Sequence, residues 1–144
     1  MVRFWDTSAL VPLLVEEPTS QACRHLLQDK FPMVVWALSR TELSSALWRR
    51  ARAGDIATKD MIDVLRRLAA LAARWNEVTD LDAVRDRADR LLAVHHLRAA
   101  DALQLAAALV VFEERPKGRE FITSDGALAL SAQAEGFNVI VPQR

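Results

Sequence analysis

A chain of 144 residues is long enough to bury a real core, and the length fits one domain, residues 1–144. Hydrophobic residues make up 51% and charged residues 26%, which excludes a disordered polar tract and fits an ordinary soluble globular protein. Formal charge is zero, so no global field draws the chain to nucleic acid or an anionic membrane, although an enzyme gripping a few phosphates is still allowed.

In chain order, Val2–Asp6 reads as a strand, followed by helices near Ser8–Val15 and Thr19–Asp29. Pro32 opens a second strand, MVVWA, which runs into a helix from Ser39 to Ala53 that Gly54 ends as a C-cap glycine would. Thr58–Trp75 is the next helix, with Glu77-Val78 a short strand behind it, and helices near Asp80–His95 and Arg98–Glu113 follow. EFIT at 120–123 is a strand, Asp125–Glu135 a helix capped by Gly136, and NVIVP at 138–142 the last strand. Short strands of Val, Ile and Phe alternating with helices predict an α/β sandwich around a parallel sheet.

Cys23 is alone, so no internal disulfide and no cysteine metal site is expected. The longest apolar run, LAAALVVF at 105–112, falls far short of the roughly 20 residues a membrane span needs. Asp6 interrupts any signal-peptide pattern, so no membrane association and a cytoplasmic location are expected.

Parallel α/β sheets bind ligands at the carboxyl edge, where strands end and helices begin. Four acids fall there: Asp6 after the first strand, Glu42 in the first turn after the second, Asp101 in the first turn of the 98–113 helix, and Asp125 after EFIT. Each has a structural alternative. Asp6 and Asp125 sit where N-caps sit, Ser39-Arg-Thr-Glu42 fits a capping box, and Asp101 complements a helix dipole. Against the last, Asp101 shares its helical face with Leu105 and Ala108, where an unpaired charge is costly. Together the four repel, and the cluster is unstable unless a cation joins it. An oxygen-only donor set suits Mg²⁺ or Mn²⁺ and not zinc. The histidines do not compete: His95 and His96, if helical, point about 100° apart, and His25 is expected on an outer face.

DTSAL at 6–10, the glutamate of RTEL at 40–43, RAADALQLAAAL at 98–109 and TSDGAL at 123–128 together resemble the PIN-domain ribonucleases. The layout is similar to the VapC-type toxins of bacterial toxin–antitoxin pairs. The resemblance implies a PIN-like three-layer α/β/α sandwich with a short central parallel sheet and helices on both sides. It implies metal-dependent cleavage of RNA phosphodiesters, with the catalytic and metal-binding quartet on Asp6, Glu42, Asp101 and Asp125 and supporting hydroxyls on Ser8 and Thr123. It further implies a homodimer and a VapB-type antitoxin whose basic side chain can invade the acidic site.

With Mg²⁺ or Mn²⁺ at the site, metal-activated water would attack the phosphodiester, leaving 5′-phosphate and 3′-hydroxyl ends. Arg49, Arg50 and Arg52 close the 39–53 helix, either as dipole partners or as a phosphate-tracking rim. Trp36, Trp48 and Trp75 are expected in the core or an interface. Leu10, Leu14, Leu43 and Leu47 suit either the core or a groove for an antitoxin helix. A dehalogenase-type phosphatase would need a second Asp where Ser8 stands, and a receiver domain would need an acid pair after the first strand. A PIN-like scaffold that binds RNA or a partner without cutting, and a housekeeping RNA-processing nuclease, are the open alternatives.

Overall fold

Runs of three or four aromatic, aliphatic and β-branched residues make short strands, and five of them form the central sheet. The computed structural model describes residues 1–144. Strands β1 (Arg3–Trp5), β2 (Met33–Trp36), β3 (Asn76–Val78), β4 (Glu120–Ile122) and β5 (Asn138–Ile140) are all parallel, in the order β3-β2-β1-β4-β5. Parallel neighbours need crossovers, and helices supply them: α1 (Thr7–Leu10), α2 (Ser20–Gln28), α3 (Ser39–Arg52), α4 (Thr58–Ala72), α5 (Leu81–Val94), α6 (Ala99–Val111) and α7 (Gly126–Glu135).

Strand alternation divides the core into two layers. Phe4, Val34, Trp36 and Phe121 face α5, α6 and α7, while Trp5, Met33, Val35 and Ile122 face α1 to α4. The three-layer α/β/α sandwich is therefore present. On the first face Phe4 stacks on Phe121 with centroids 5.2 Å apart, and Phe137 tilts against Phe121 at 5.5 Å. Helix α6 is apolar nearly all round, as a buried helix must be, and its alanines at 102 and 106–108 are fully buried. No helix is long and apolar enough to cross a membrane.

The chain departs from the sequence reading in places with clear causes. The expected Ser8–Val15 helix is one turn, α1, followed by a 3₁₀ turn at Val11–Leu13. Pro12 has no N–H to continue the ladder. The helix expected to reach Trp75 ends at Ala72, and Trp75 turns into the core at 7% exposure, its Nε1 donating to Glu77. Helix α5 stops at Val94, and His95 is extended, so the two histidines do not share a helix. Leu10, Leu14, Leu43 and Leu47 are all buried in the core, which decides between the core and the groove in favour of the core. Gly136 ends α7 with φ of 111°, a left-handed conformation that glycine adopts freely, and a Cβ there would press on Pro116.

Candidate active site

The strand order reverses between β1 and β4, so the crevice beyond their carboxyl ends is the place where an open α/β sheet can admit a ligand. Asp6 follows β1 directly and Thr123 follows β4. Their backbones are tied together there, since the Asp6 N–H donates to the Ile122 carbonyl at 2.9 Å. Asp6 is 3% exposed. Its Oδ2 accepts from Ser8 Oγ at 2.6 Å and Thr123 Oγ1 at 2.8 Å, while no side chain donates to Oδ1. The two hydroxyls lie 3.1 Å from each other as well, and both hydroxyl oxygens in turn accept backbone N–H groups, of Ser124 and Asp125. Asp6 also caps α1 through a long 3.4 Å bond from the Ser8 N–H. Asp6 therefore caps a helix and lines the acid cavity at the same time.

A cavity of about 440 Å³ opens beside Asp6, and Glu42, Asp101 and Asp125 line it with Ser8, Thr7, Thr41, Ser45 and Arg49. Four elements far apart in sequence deliver the four acids to one place. Asp125 is, like Asp6, a cap as well, accepting from the Leu128 N–H at 3.0 Å. Glu42 is not. Helix α3 begins at Ser39, with Leu38 in the cap position and making no side-chain bond, so the capping box that was the alternative for Glu42 does not form. Ser39 is instead fully buried, and Glu42 turns toward Gln104.

Gln104, on α6, is the residue that sequence reasoning missed. Its Nε2 reaches Thr7 Oγ1 at 2.9 Å, Ser39 Oγ at 3.0 Å and Glu42 Oε1 at 3.2 Å, joining α1, α3 and α6 behind the acids. Its Oε1 is buried with no partner. A lone amide inside DALQLAAAL, three residues after Asp101, was the available signal: an uncharged polar side chain on so apolar a helix needs a polar destination.

Burial is the main cause that raises the Asp6 carboxyl above its ordinary value, against the pull of the Ser8 and Thr123 hydroxyls. Glu42 is raised by burial too; the Gln104 amide opposes this, and repulsion from Asp6 and Asp101 adds to it. Asp101 is pushed up to about 6 by burial and by Asp125 and Asp6, with Arg98 opposing. The acids therefore sense one another across the cavity. No three of them close into a preformed ligand group; like charges ring the space, each resisting closer approach. The side chains lining the cavity that could ligate a cation all do so through oxygen, and His95 is engaged elsewhere, 2.7 Å from Glu135. The donor set fits a hard divalent cation such as Mg²⁺ or Mn²⁺.

Trp5, Trp36 and Trp75 are buried, whereas Trp48 is 43% exposed on α3, so of the core and interface positions expected for it the core is excluded. Arg50 pairs with Glu17, and Arg49 lines the acid cavity.

A parallel three-layer α/β/α sandwich with carboxylates gathered at its switch point is the architecture of the PIN-like proteins. The PIN domain family model matches residues 3–129, and the chain belongs to that family. Among known proteins it is similar to Ribonuclease VapC45 and Ribonuclease VapC49, both from Mycobacterium tuberculosis. Each is 30% identical over 140 residues, covering 97% of this chain and 95% of that protein. It is also similar to Ribonuclease VapC46 of the same organism, 36% identical over 89 residues, covering 56% of this chain and 68% of that protein. The chain is thus a VapC-type member of the PIN family.

Proposed function

We propose that this protein is a Mg²⁺- or Mn²⁺-dependent endoribonuclease, the toxin of a toxin–antitoxin pair, with residues 1–144 acting as one PIN-like nuclease domain. One observation carries the chemistry: Asp6, Glu42, Asp101 and Asp125 line the same cavity at the carboxyl edge of a parallel sheet. RNA as substrate is supported by the ribonuclease relatives that match almost the full chain. Asp6, Glu42, Asp101 and Asp125 would hold a divalent cation, which would supply charge neutralisation at the scissile phosphate and acidify an attacking water.

The chain's own residues do the rest. Asp6, with Oδ2 fixed by two hydroxyls and Oδ1 free of any side-chain donor, lines the cavity and is the main anchor with Asp101. Glu42, steered by Gln104, and Asp125, held at the mouth of α7, complete the ring and orient the attacking water. Ser8 and Thr123 hold the Asp6 carboxylate in one rotamer, which is what positions it for an in-line displacement. Attack by water leaves 5′-phosphate and 3′-hydroxyl ends. A homodimer and a VapB-type antitoxin that sends a basic side chain into the acid cavity complete the proposal.

Purified protein with single-stranded RNA tests it. Cleavage with Mg²⁺ or Mn²⁺, loss in EDTA, and loss in Asp6→Asn and Asp101→Asn are expected. Full activity in EDTA or in both variants rejects the mechanism.

A further inference from the structure

Arg49 is the one basic residue among those lining the acid cavity. It stands on α3 seven residues after Glu42, so the two share a helix face about 10 Å apart along the axis. Between them on that face lie only Ser45 and Ala46, small side chains that leave the wall of the cavity low. Arg49 is exposed and forms no ion pair, although four carboxylates share its cavity, while its neighbour Arg50 is paired with Glu17. Arg50 and Arg52 already complement the carboxyl end of α3, so the dipole does not require Arg49. A guanidinium presents a fork of donors suited to phosphate oxygens, and at this distance it stays clear of a cation held by the acids.

We propose that Arg49 binds a backbone phosphate of single-stranded RNA next to the scissile one, laying the strand along α3 over Ser45 and Ala46. This rests on the ribonuclease reading, and the test separates the two. Cleavage of a single-stranded RNA is followed in wild type, Arg49→Ala and Arg49→Lys across a salt series. Binding of a labelled RNA oligonucleotide is measured by anisotropy in Asp101→Asn with and without Arg49→Ala. Arg49→Ala is expected to raise KM roughly tenfold with kcat nearly unchanged, and to flatten the dependence of log kcat/KM on log salt by about 0.7. Arg49→Lys should restore the salt slope and part of the KM. Unchanged KM and slope in Arg49→Ala overturn the inference and leave the ribonuclease standing. So does a change of oligomeric state in Arg49→Ala, which marks the residue as an interface contact. A wild type that never cuts RNA overturns the ribonuclease reading instead. The anisotropy pair then decides on Arg49: weaker binding keeps the phosphate contact, and equal binding removes it.

Discussion

Strand β1 has a charge at each end, three residues apart, and the two have opposite fates. Arg3 at the amino end is 7% exposed, and Asp6 just past the carboxyl end is 3% exposed. Arg3 donates to Asp29 and to the Leu26 carbonyl at 2.9 Å each, and also to Glu120, while Phe31 lies against its guanidinium. The fold itself answers that charge. Asp6 receives only neutral hydroxyls and backbone N–H groups, and the charged residues acting on Glu42 beside it are acids. A buried charge matched by its own fold is structure; one surrounded by its own sign is arranged for a visitor.

The largest effects should therefore dissociate across the strand. Asp6→Asn is expected to cut the cleavage rate by roughly a thousandfold or more, the scale of losing a group that stabilises transition-state charge. Its metal-free melting temperature should stay unchanged or rise, because a repelling charge is gone. Arg3→Met should do the reverse. It leaves the half-buried Glu120 unpaired and is expected to cost about 2 kcal/mol in urea denaturation, below the range for a fully buried pair, with cleavage intact well below the melting point. If Asp6→Asn unfolds the protein, Asp6 is a structural cap and the contrast between the two ends fails.

The asymmetry was half legible in the sequence. Parallel topology and the acid edge follow from strand–helix alternation, and each of Asp6, Glu42, Asp101 and Asp125 sits at a junction that local patterning can recognise. What local patterning does not carry is long-range pairing. Arg3 finds Glu120 across 117 positions, and Gln104 finds Thr7 across 97. Nothing near either residue in sequence announces its partner. Glu42 shows the converse, a local pattern that does not form. Ser39 and Glu42 have the spacing of a capping box, but burial of Ser39 against Gln104 outcompetes the local bond, so α3 starts without a side-chain cap.

Gln104 lets that competition be measured. Gln104→Leu keeps the apolar volume but strips the donor from Glu42, Thr7 and Ser39. It is expected to lower cleavage by about 10- to 100-fold, as loss of a group that orients a metal ligand does. It should also cost about 1–2 kcal/mol, because two buried hydroxyls lose a partner. Ser39→Ala should cost stability with little effect on cleavage, which separates the packing role of the amide from its hold on Glu42. Equal activity losses in the two variants would mean that Glu42 does not depend on Gln104.

A smaller effect appears in stability against pH without added metal. Asp101 ionises at about 6 in the folded chain, above the ordinary 3.8. Below 3.8 the folded and unfolded chains both hold the proton and its contribution is fully present. As pH rises toward 6 the unfolded chain gives up its proton first, and that stability is lost. The difference between wild type and Asp101→Asn should thus grow with pH to about 1 kcal/mol at neutrality, after discounting for solvent screening at a part-exposed site. Added Mg²⁺ should shrink it. A difference that stays flat from pH 4 to 7 would show that repulsion at the acid edge is not felt by the fold.

The finest contrast lies within the pair of hydroxyls on Asp6 itself. Ser8 lines the cavity, so in Ser8→Ala a water can take the vacated position and donate to Oδ2. Thr123 is fully buried, so in Thr123→Val no water can follow, and the Asp125 N–H loses its acceptor as well. Removing a donor to a carboxylate favours its protonated form, which must lose its proton before it can hold a cation. The acidic limb of the kcat/KM profile should therefore move to higher pH in both variants. The move should reach up to about one unit for Thr123→Val, the equivalent of one charge-assisted hydrogen bond, and be distinctly less for Ser8→Ala. Equal displacements would mean that water reaches both positions alike, and no displacement in either would mean that some carboxylate other than Asp6 sets the acidic limb.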